Sequence, residues 1–345
     1  MRIAIIGAGI SGLTAGRELA KAGHDVTIIE KSRGLGGRLA TRYAGEKHEY
    51  KLDHGTPYFS TNSPEFSGFV SELLDKNLVK IWDDTNWQYD GVQLLETRPN
   101  TTEKIKYVAI DGMNQIGKYL ARWVDVMSET RAGGLTFIGA NRSRKRPWMV
   151  NLTDFNTFEA DAVIVATPAP QAYGIIQTSQ DEVSTLKLIR EIDEVEYDSA
   201  VTLMAGYPNT EIPEWDLITS EDDMIKTISN ESSKRNRKQE TYIVVHSTSK
   251  FAIENRETVK EDLLETLLDR LSVITGSWAA TPAWNQIHYW RYAQTRNPIA
   301  RPFMEVESLD APLALVGDYF NGNTVDDAYC SGFKLARHWI NKFND

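Results

Sequence analysis

The chain is nearly without cysteine: there is one, Cys330, in 345 residues. That excludes an intramolecular disulfide and a cysteine-based metal site, and it fits a reducing compartment. Long apolar runs are missing as well. No stretch approaches the ~20 residues that cross a bilayer, so a soluble, cytoplasmic protein with no membrane partner is expected. Positive charge is in deficit, with 38 Lys and Arg against 48 Asp and Glu and a net charge of −10. Nucleic acid and anionic membranes both reward clustered cations, so neither is expected as a partner. Two short basic clusters, Arg142–Arg146 and Lys234–Lys238, read as a solvated hairpin tip and an exposed loop. The six histidines lack HxxxH spacing and carboxylate companions, and there is no GxSxG. Neither a metal site nor a hydrolase is expected. No repeat or low-complexity segment appears. What is present is 41% apolar residues, 10% of the chain being aromatic. That is enough for a sizeable core, over a length that suits two interleaved domains.

The most informative feature stands at the start. Ile3-Ala4-Ile5-Ile6 reads as a buried strand, and Gly7-x-Gly9-x-x-Gly12 follows it directly. Gly7 allows a tight turn, Gly9 lets a pyrophosphate approach the backbone, and Gly12 lets the next helix pack on the strand. The N–H groups that begin this helix, at Ile10 and Ser11, then face phosphate charge. A second strand, Asp25–Ile29, ends at Glu30. This acid lies 18 residues past Gly12, near the ~20-residue spacing of a carboxylate that takes ribose hydroxyls. An ADP moiety is expected here. The apolar start is therefore the first strand of a nucleotide site rather than a secretory leader.

Lys31-Ser32-Arg33-Gly34-Leu35-Gly36-Gly37-Arg38 comes next, crowding glycines where the backbone must run against something bulky. With Asp53-x-Gly55 and Gly317-Asp318, the set Arg33-x-x-Gly36-Gly37-Arg38 resembles the flavin amine oxidase superfamily. Gly37–Arg42, Asp53–Phe59, Ala166–Gln171 and Trp290–Ala293 resemble its renalase-like branch. The resemblance touches both ends and the middle of the chain, but places no motif between about 172 and 283.

That resemblance implies an α/β fold: a doubly wound, Rossmann-like FAD-binding domain with an inserted α+β substrate domain of the amine oxidase type. The expected division is 1–60, 106–170 and 294–345 for the first, and 61–105 and 171–293 for the second. It implies non-covalent FAD held by Gly7, Gly9, Ile10, Ser11, Gly12, Glu30, Lys31, Gly36, Gly37, Arg38, Leu39, His54, Gly55, Thr56, Thr167, Gly317, Asp318 and Val325. Asp318 would accept ribityl hydroxyls, and the helix starting near Val325 would offer its positive end to the flavin. Asp326 and Asp327, where relatives often have glycine, are expected to point outward. Cys330 lies away from the family position for a covalent flavin link and reads as packing.

His288, Trp290 and Tyr292 alternate along a strand and share one face, with Tyr289 on the other. From the residues alone this strand is either packed core or the aromatic wall of a substrate cavity. With the resemblance it becomes the catalytic candidate. No lysine can be assigned to the position that holds water near the flavin in many amine oxidases. The renalase-like resemblance implies oxidation of a reduced nicotinamide dinucleotide, with hydride passing to FAD and dioxygen reoxidising it to give hydrogen peroxide. A flavin amine oxidase, a desaturase-like oxidase and a non-catalytic FAD-binding protein remain alternatives.

Local patterns place further elements. Ser63-Pro64 opens a helix to about Lys76. Val79–Trp82 and Trp87–Leu95 read as strands. A helix from Asp111 to Trp123 has Met113, Ile116, Leu120 and Trp123 on a core face. Leu135–Ile138 and Trp148–Val150 form a hairpin, and Ala162–Ala166 returns to the parallel sheet. Glu182–Ile192 and Val259–Val273 read as helices, Val195–Ala205 and Thr241–His246 as strands. Strand Ala314–Val316 and a helix from Val325 to about Lys342 close the chain.

Overall fold

The computed structural model describes residues 1–45, 50–97, 104–139, 146–179, 183–208, 213–235, 240–306 and 310–343. Two sheets organise it. The first has six strands in the order Met304–Glu305, Leu313–Leu315, Ala162–Val165, Arg2–Ile6, Asp25–Ile29 and Asp125–Met127. All pairs are parallel except the outer Met304–Glu305. Alternation along the first strand explains why it reads as a continuous apolar run. Ile3 and Ile5 enter one core, with the first helix Ile10–Lys21 and the last helix Val325–Phe343. Ala4 and Ile6 enter another, under the helix Ala169–Ile176 and a three-stranded sheet. The expected hairpin, Ala132–Phe137 with Trp148–Leu152, is two strands of that sheet, and Thr157–Ala160 adds the third. This is the Rossmann-like, doubly wound arrangement.

The second sheet has seven strands, in the order Trp284–Thr295, Tyr197–Pro208, Glu240–Ser247, Ile225–Asn230, Leu217–Ser220, Asn86–Tyr89 and Leu94–Glu96. One face is apolar and buried against the helices Ser249–Glu254 and Lys260–Thr275, through Val201, Leu203, Val245, Leu267 and Leu271. The other face receives the hairpin Thr41–Ala44/Tyr50–Asp53, whose Ala44 and Leu52 pack on Met204 and Val244. This hairpin stands between the two sheets and brings the Asp53-His54-Gly55 segment into place.

The helix Pro64–Asp75 starts as expected, with the Ser63 hydroxyl accepting from Phe66 N at 3.2 Å. Trp123 departs from expectation. The α-helix ends at Leu120 and a 3₁₀ turn covers Ala121–Trp123, so the angular step changes and Trp123 swings off the core face. It is exposed, with the Arg17 guanidinium 4.6 Å above its ring. The basic cluster Lys234–Lys238 is no exposed loop where it is described. Lys234 is fully buried and the Arg235 side chain nearly so, because both neutralise carboxylates in the interior. Asn236, Arg237 and Lys238 lie outside the described residues, as do Glu182 and all of Arg142–Arg146 except Arg146, whose guanidinium meets Asp161. Among the described residues no helix is long and apolar enough to cross a membrane.

Candidate functional site

The carboxyl-terminal edge of the parallel sheet opens into a cavity of about 1950 Å³ that reaches the polar face of the second sheet. Ligand pockets commonly hold roughly 300–1,000 Å³, so this one has room for a long dinucleotide and a second molecule. Apart from Gly12, every site residue singled out from the sequence lines it.

At the parallel-sheet end the backbone makes the site. Gly7 has φ +108°, and a Cβ on Gly12 would stand 2.3 Å from the Gly7 carbonyl oxygen. Neither position accepts a side chain. Gly9 differs: a Cβ there would meet nothing within 4 Å. It would project into the space a ligand needs, beside a first helix that starts with no side-chain cap. The leading N–H groups of that helix are left for an anion. Glu30 accepts from Ala8 N and Ser32 N, both at 2.8 Å, which holds its carboxylate at the cavity rim. Gly36 bridges Gly9, so the two glycine turns form one wall, with exposed Lys31 at its mouth and buried Leu39 beneath. The buried Thr167 hydroxyl lines this end with no hydrogen-bond partner. These features fit the phosphates and ribose of a dinucleotide.

Asp318 is engaged in a way the sequence did not suggest. Both its oxygens accept from Arg38, at 2.6 Å each, and Thr295 Oγ1 adds a contact at 3.2 Å. Arg38 also donates to the Ala293 carbonyl at 3.1 Å, tying the glycine wall to the long strand Trp284–Thr295. Gly317 N donates to Ser331 Oγ at 3.0 Å. Val325 starts the last helix at the cavity, behind a reciprocal cap in which Asp327 N donates to Thr324 Oγ1 and Thr324 N to Asp327 Oδ2.

Asp326 corrects an expectation. It points inward and is 3% exposed. Its carboxylate accepts from Asn62 N at 2.6 Å and from Ser63 N at 2.9 Å and Oγ at 2.6 Å. Against burial, which would raise it, these donors hold its pKa below the ordinary value. It fastens the last helix to the start of the second and leaves the cavity alone. Cys330 shares this contact: its Sγ lies 3.0 Å from Ser63 Oγ and 3.3 Å from Asp326 Oδ1. Burial pushes the thiol up to about 11, so it is no ready nucleophile.

At the other end side chains make the site. Four neighbouring strands place Thr227, His246, Thr202 and His288 in one register row across the second sheet. The ring of His288 lies 4.4 Å from Trp290 and 5.2 Å from His54, while His54 and Trp290 stack at 5.4 Å. Trp290 Nε1 donates to the His54 carbonyl at 3.0 Å, and His246 Nε2 meets the Gly55 carbonyl at 2.7 Å. Burial, then His288 and Arg42, lowers His54 to about 3. Burial is also the main cause that lowers His246 to about 4. His288 is lowered by burial and by the nearby cations Arg42 and Lys260. All three rings are neutral near pH 7. Tyr289 is on the opposite face, with its hydroxyl donating to Ala252 O at 3.1 Å. Tyr292 is set apart from the other two aromatic candidates. Three residues, Arg291 to Ala293, face only Ser199 between the pairs Trp290–Ala200 and Gln294–Asp198. Within this irregularity Tyr292 packs edge-on against Tyr197, at 5.4 Å.

Beneath the His54–Thr56 turn sits a closed charge cluster. Asp53 accepts from Arg235 at 2.6 Å, from Thr41 Oγ1 at 2.7 Å and from Met113 N at 2.9 Å. Glu231 meets Lys234 at 2.5 Å and Arg235 at 3.1 Å. Lys234 also donates to the Pro57 carbonyl at 2.7 Å. Against burial, Arg235 and Lys234 keep Asp53 below the ordinary carboxylate range. Arg42, His246 and Lys226 also line the cavity; the sequence marks Arg42 only as the end of the Gly37–Arg42 motif, without a role, and does not single out the other two. Strand alternation puts them there, but only once the pairing is known.

Residues 85–339 match the family model for flavin-containing amine oxidoreductases, and residues 5–73 that for an NAD(P)-binding Rossmann-like domain. The chain belongs to the flavin-containing amine oxidoreductases. Members of this family are flavin-dependent oxidoreductases. The chain is 43% identical over 79 residues to an L-glutamate oxidase precursor of Streptomyces diastatochromogenes, covering 22% of this chain and 12% of that protein. It is 32% identical over 123 residues to a phytoene desaturase of Neurospora crassa, covering 34% and 20% respectively. The chain thus spans a fifth or less of the length of these relatives. Cyclohexylamine oxidase from Brevibacterium oxydans shares the fold, with TM-score 0.73, 12% identity and coverage of 100% and 99% of the two chains.

Proposed function

We propose that this protein is an FAD-dependent oxidase whose reducing substrate is a reduced nicotinamide dinucleotide, as in the renalase-like branch. The observation that carries this reading is the His54–His288–Trp290 cluster facing the same cavity as the glycine wall. When bound, FAD would supply the hydride acceptor and return its electrons to dioxygen as hydrogen peroxide. The Gly7–Gly12 turn, Glu30, Gly36–Leu39, His54–Thr56, Thr167, Gly317–Asp318 and Val325 would hold it. The attachment is non-covalent on this reading, since Cys330 is buried against Ser63 and Asp326. Trp290 gives a dihydropyridine ring a flat surface to stack on, with His288 edge-on beside it, and the neutral histidines neither compete for nor supply a proton near pH 7. Hydride removal from a dihydropyridine needs orientation and water exclusion more than acid–base help. The division of the chain at 1–60, 106–170 and 294–345 against 61–105 and 171–293 belongs to the same proposal, as does a cytoplasmic location.

A second reading, oxidation of an amine or amino acid, draws support from Lys226, an exposed residue at the cavity. Anaerobic mixing of the holoenzyme with dihydronicotinamide isomers, amines and amino acids separates the two. Bleaching of the flavin absorbance by dihydronicotinamides alone is expected. Bleaching by amines or amino acids alone would replace the first reading with the second.

A further inference from the structure

Arg42 is a half-buried cavity cation without an ion-pair partner among the described residues. It stands on the hairpin strand Thr41–Ala44, half-buried, and lines the cavity. Its neighbour Thr41 bonds Asp53 on the other face of that strand, and Asp53 is already matched by Arg235 and Lys234. No carboxylate meets the Arg42 guanidinium among the described residues, and its Nε is buried without a hydrogen bond. His54 and His288, which feel its field, remain neutral, and the charged group on the same floor, Lys226, is a second cation. Their surroundings carry further buried polar atoms that can donate and have no partner, namely Nδ1 of His54 and Oγ1 of Thr202. Buried polar groups are ordinarily satisfied, and several orphans at one place, around a permanent cation, describe a site shaped for an anion.

We propose that Arg42 sets substrate specificity by taking an anionic group of the substrate, a carboxylate or a phosphate, at the floor of the second sheet. The inference rests on the oxidase reading only in calling the ligand a substrate. A guanidinium presents a planar fork that matches either anion through two parallel N–H···O bonds. Thr227, His246 and Lys226 border the same floor. In the row Thr227–His246–Thr202–His288 the two threonine hydroxyls and the neutral His288 ring can donate to the remaining oxygens, whereas His246 spends its one N–H on the Gly55 carbonyl. A substrate seated this way would place its flat portion on Trp290, beside the edge-on His288.

Calorimetric titration of the holoenzyme with benzoate, phenyl phosphate and benzamide tests this without turnover. In the wild type at least one anion binds about tenfold or more tighter than benzamide, and which anion does so identifies the group. Arg42→Met weakens that anion by about ten- to hundredfold, the scale of a charge-assisted bidentate pair, and leaves benzamide unchanged. Arg42→Lys, which keeps the charge but loses the fork, recovers part of the affinity. Equal binding of benzamide and both anions by the wild type overturns the proposal, as does undiminished anion binding in Arg42→Met. Loss of the flavin from both Arg42 variants also overturns it, by assigning Arg42 to the cofactor. Failure of every dihydronicotinamide to bleach the flavin, with anion binding still dependent on Arg42, would remove the oxidase reading and leave this one standing.

Discussion

The two ends of the cavity are built from different materials. At the parallel-sheet end the contacts come from backbone: a turn at Gly7, an open Gly9, a Gly12 pressed on the Gly7 carbonyl, and an uncapped helix start. At the second-sheet end they come from side chains on four strands that meet only after the sheet has paired. Backbone sites tolerate no added volume but depend little on which side chains surround them. Side-chain sites tolerate substitution one residue at a time and change their ligand when they change. The difference suits a fixed cofactor at one end and a variable substrate at the other.

The same contrast recurs within the hairpin Thr41–Ala44/Tyr50–Asp53. Asp53 on one face is sealed in a cluster of two acids and two cations, while Arg42 on the other is unpaired. The sealed cluster holds the His54–Pro57 turn, and the unpaired cation is open to ligand.

The largest effect is expected from Gly12→Val. A side chain driven into the Gly7 carbonyl must displace the first strand or helix, so the flavin content of the purified variant falls to near zero. A yellow, fully loaded variant would break the backbone side of the comparison. Next comes Glu231→Gln, which leaves the buried cations Lys234 and Arg235 with one acid, Asp53, between them. Uncompensated buried charge costs about 3–5 kcal/mol, visible as a lowered denaturant midpoint. Arg42→Met removes an unpaired cation and should leave that midpoint unchanged or raised. If the two variants are equally unstable, the sealed and open charges do not differ as argued.

Glu30→Ala sharpens the account of the backbone end. Loss of charge-assisted bonds to ribose hydroxyls, worth about 1.5–3 kcal/mol, weakens FAD by about ten- to hundredfold. Retention of FAD on dilution equal to the wild type would show that Glu30 only orders Ala8 and Ser32. The smallest effect is in acid. His54 and His246 have folded pKa values near 3 and 4, below the unfolded value of about 6.5. Their unprotonated forms favour the fold, a contribution fully present above about pH 6.5 and lost as pH falls towards 4 and then 3. A double His54→Gln/His246→Gln variant should therefore lose less stability between pH 6.5 and 4 than the wild type does.

These differences also explain what could be read from residues alone. The glycine turn, Glu30 and the strand-to-helix order are local, and spacing along the chain carries them. The alternation that sets Tyr289 against His288 and Trp290 is local too. Arg42 continues the run of the glycine wall into the cavity, but His246 and Thr227 come to lie opposite it only through long-range pairing, which no window of sequence contains. Lys234 and Arg235 misled because a run of cations is ordinarily solvated, and their partner Asp53 lies 182 residues from Arg235. Asp326 misled for a related reason: an acid in a first helical turn commonly faces water, but here the start of the second helix supplies three donors. Tyr292 was grouped with Trp290 by simple alternation, and the strand irregularity at Arg291–Ala293 separates them.

The central claim is that the cavity holds FAD against the glycine wall and seats its reducing substrate on Trp290, beside His288. Anaerobic flavin reduction by a dihydronicotinamide, compared between the wild type and Trp290→Ala at matched FAD content, tests it most directly. Stacking on an aromatic face is worth about 1–3 kcal/mol, so the variant should bind substrate or reduce its flavin at least tenfold less well. Tyr289→Phe on the opposite face should match the wild type. Reduction of Trp290→Ala at the wild-type rate, at every substrate concentration, would contradict the claim and return this strand to the core.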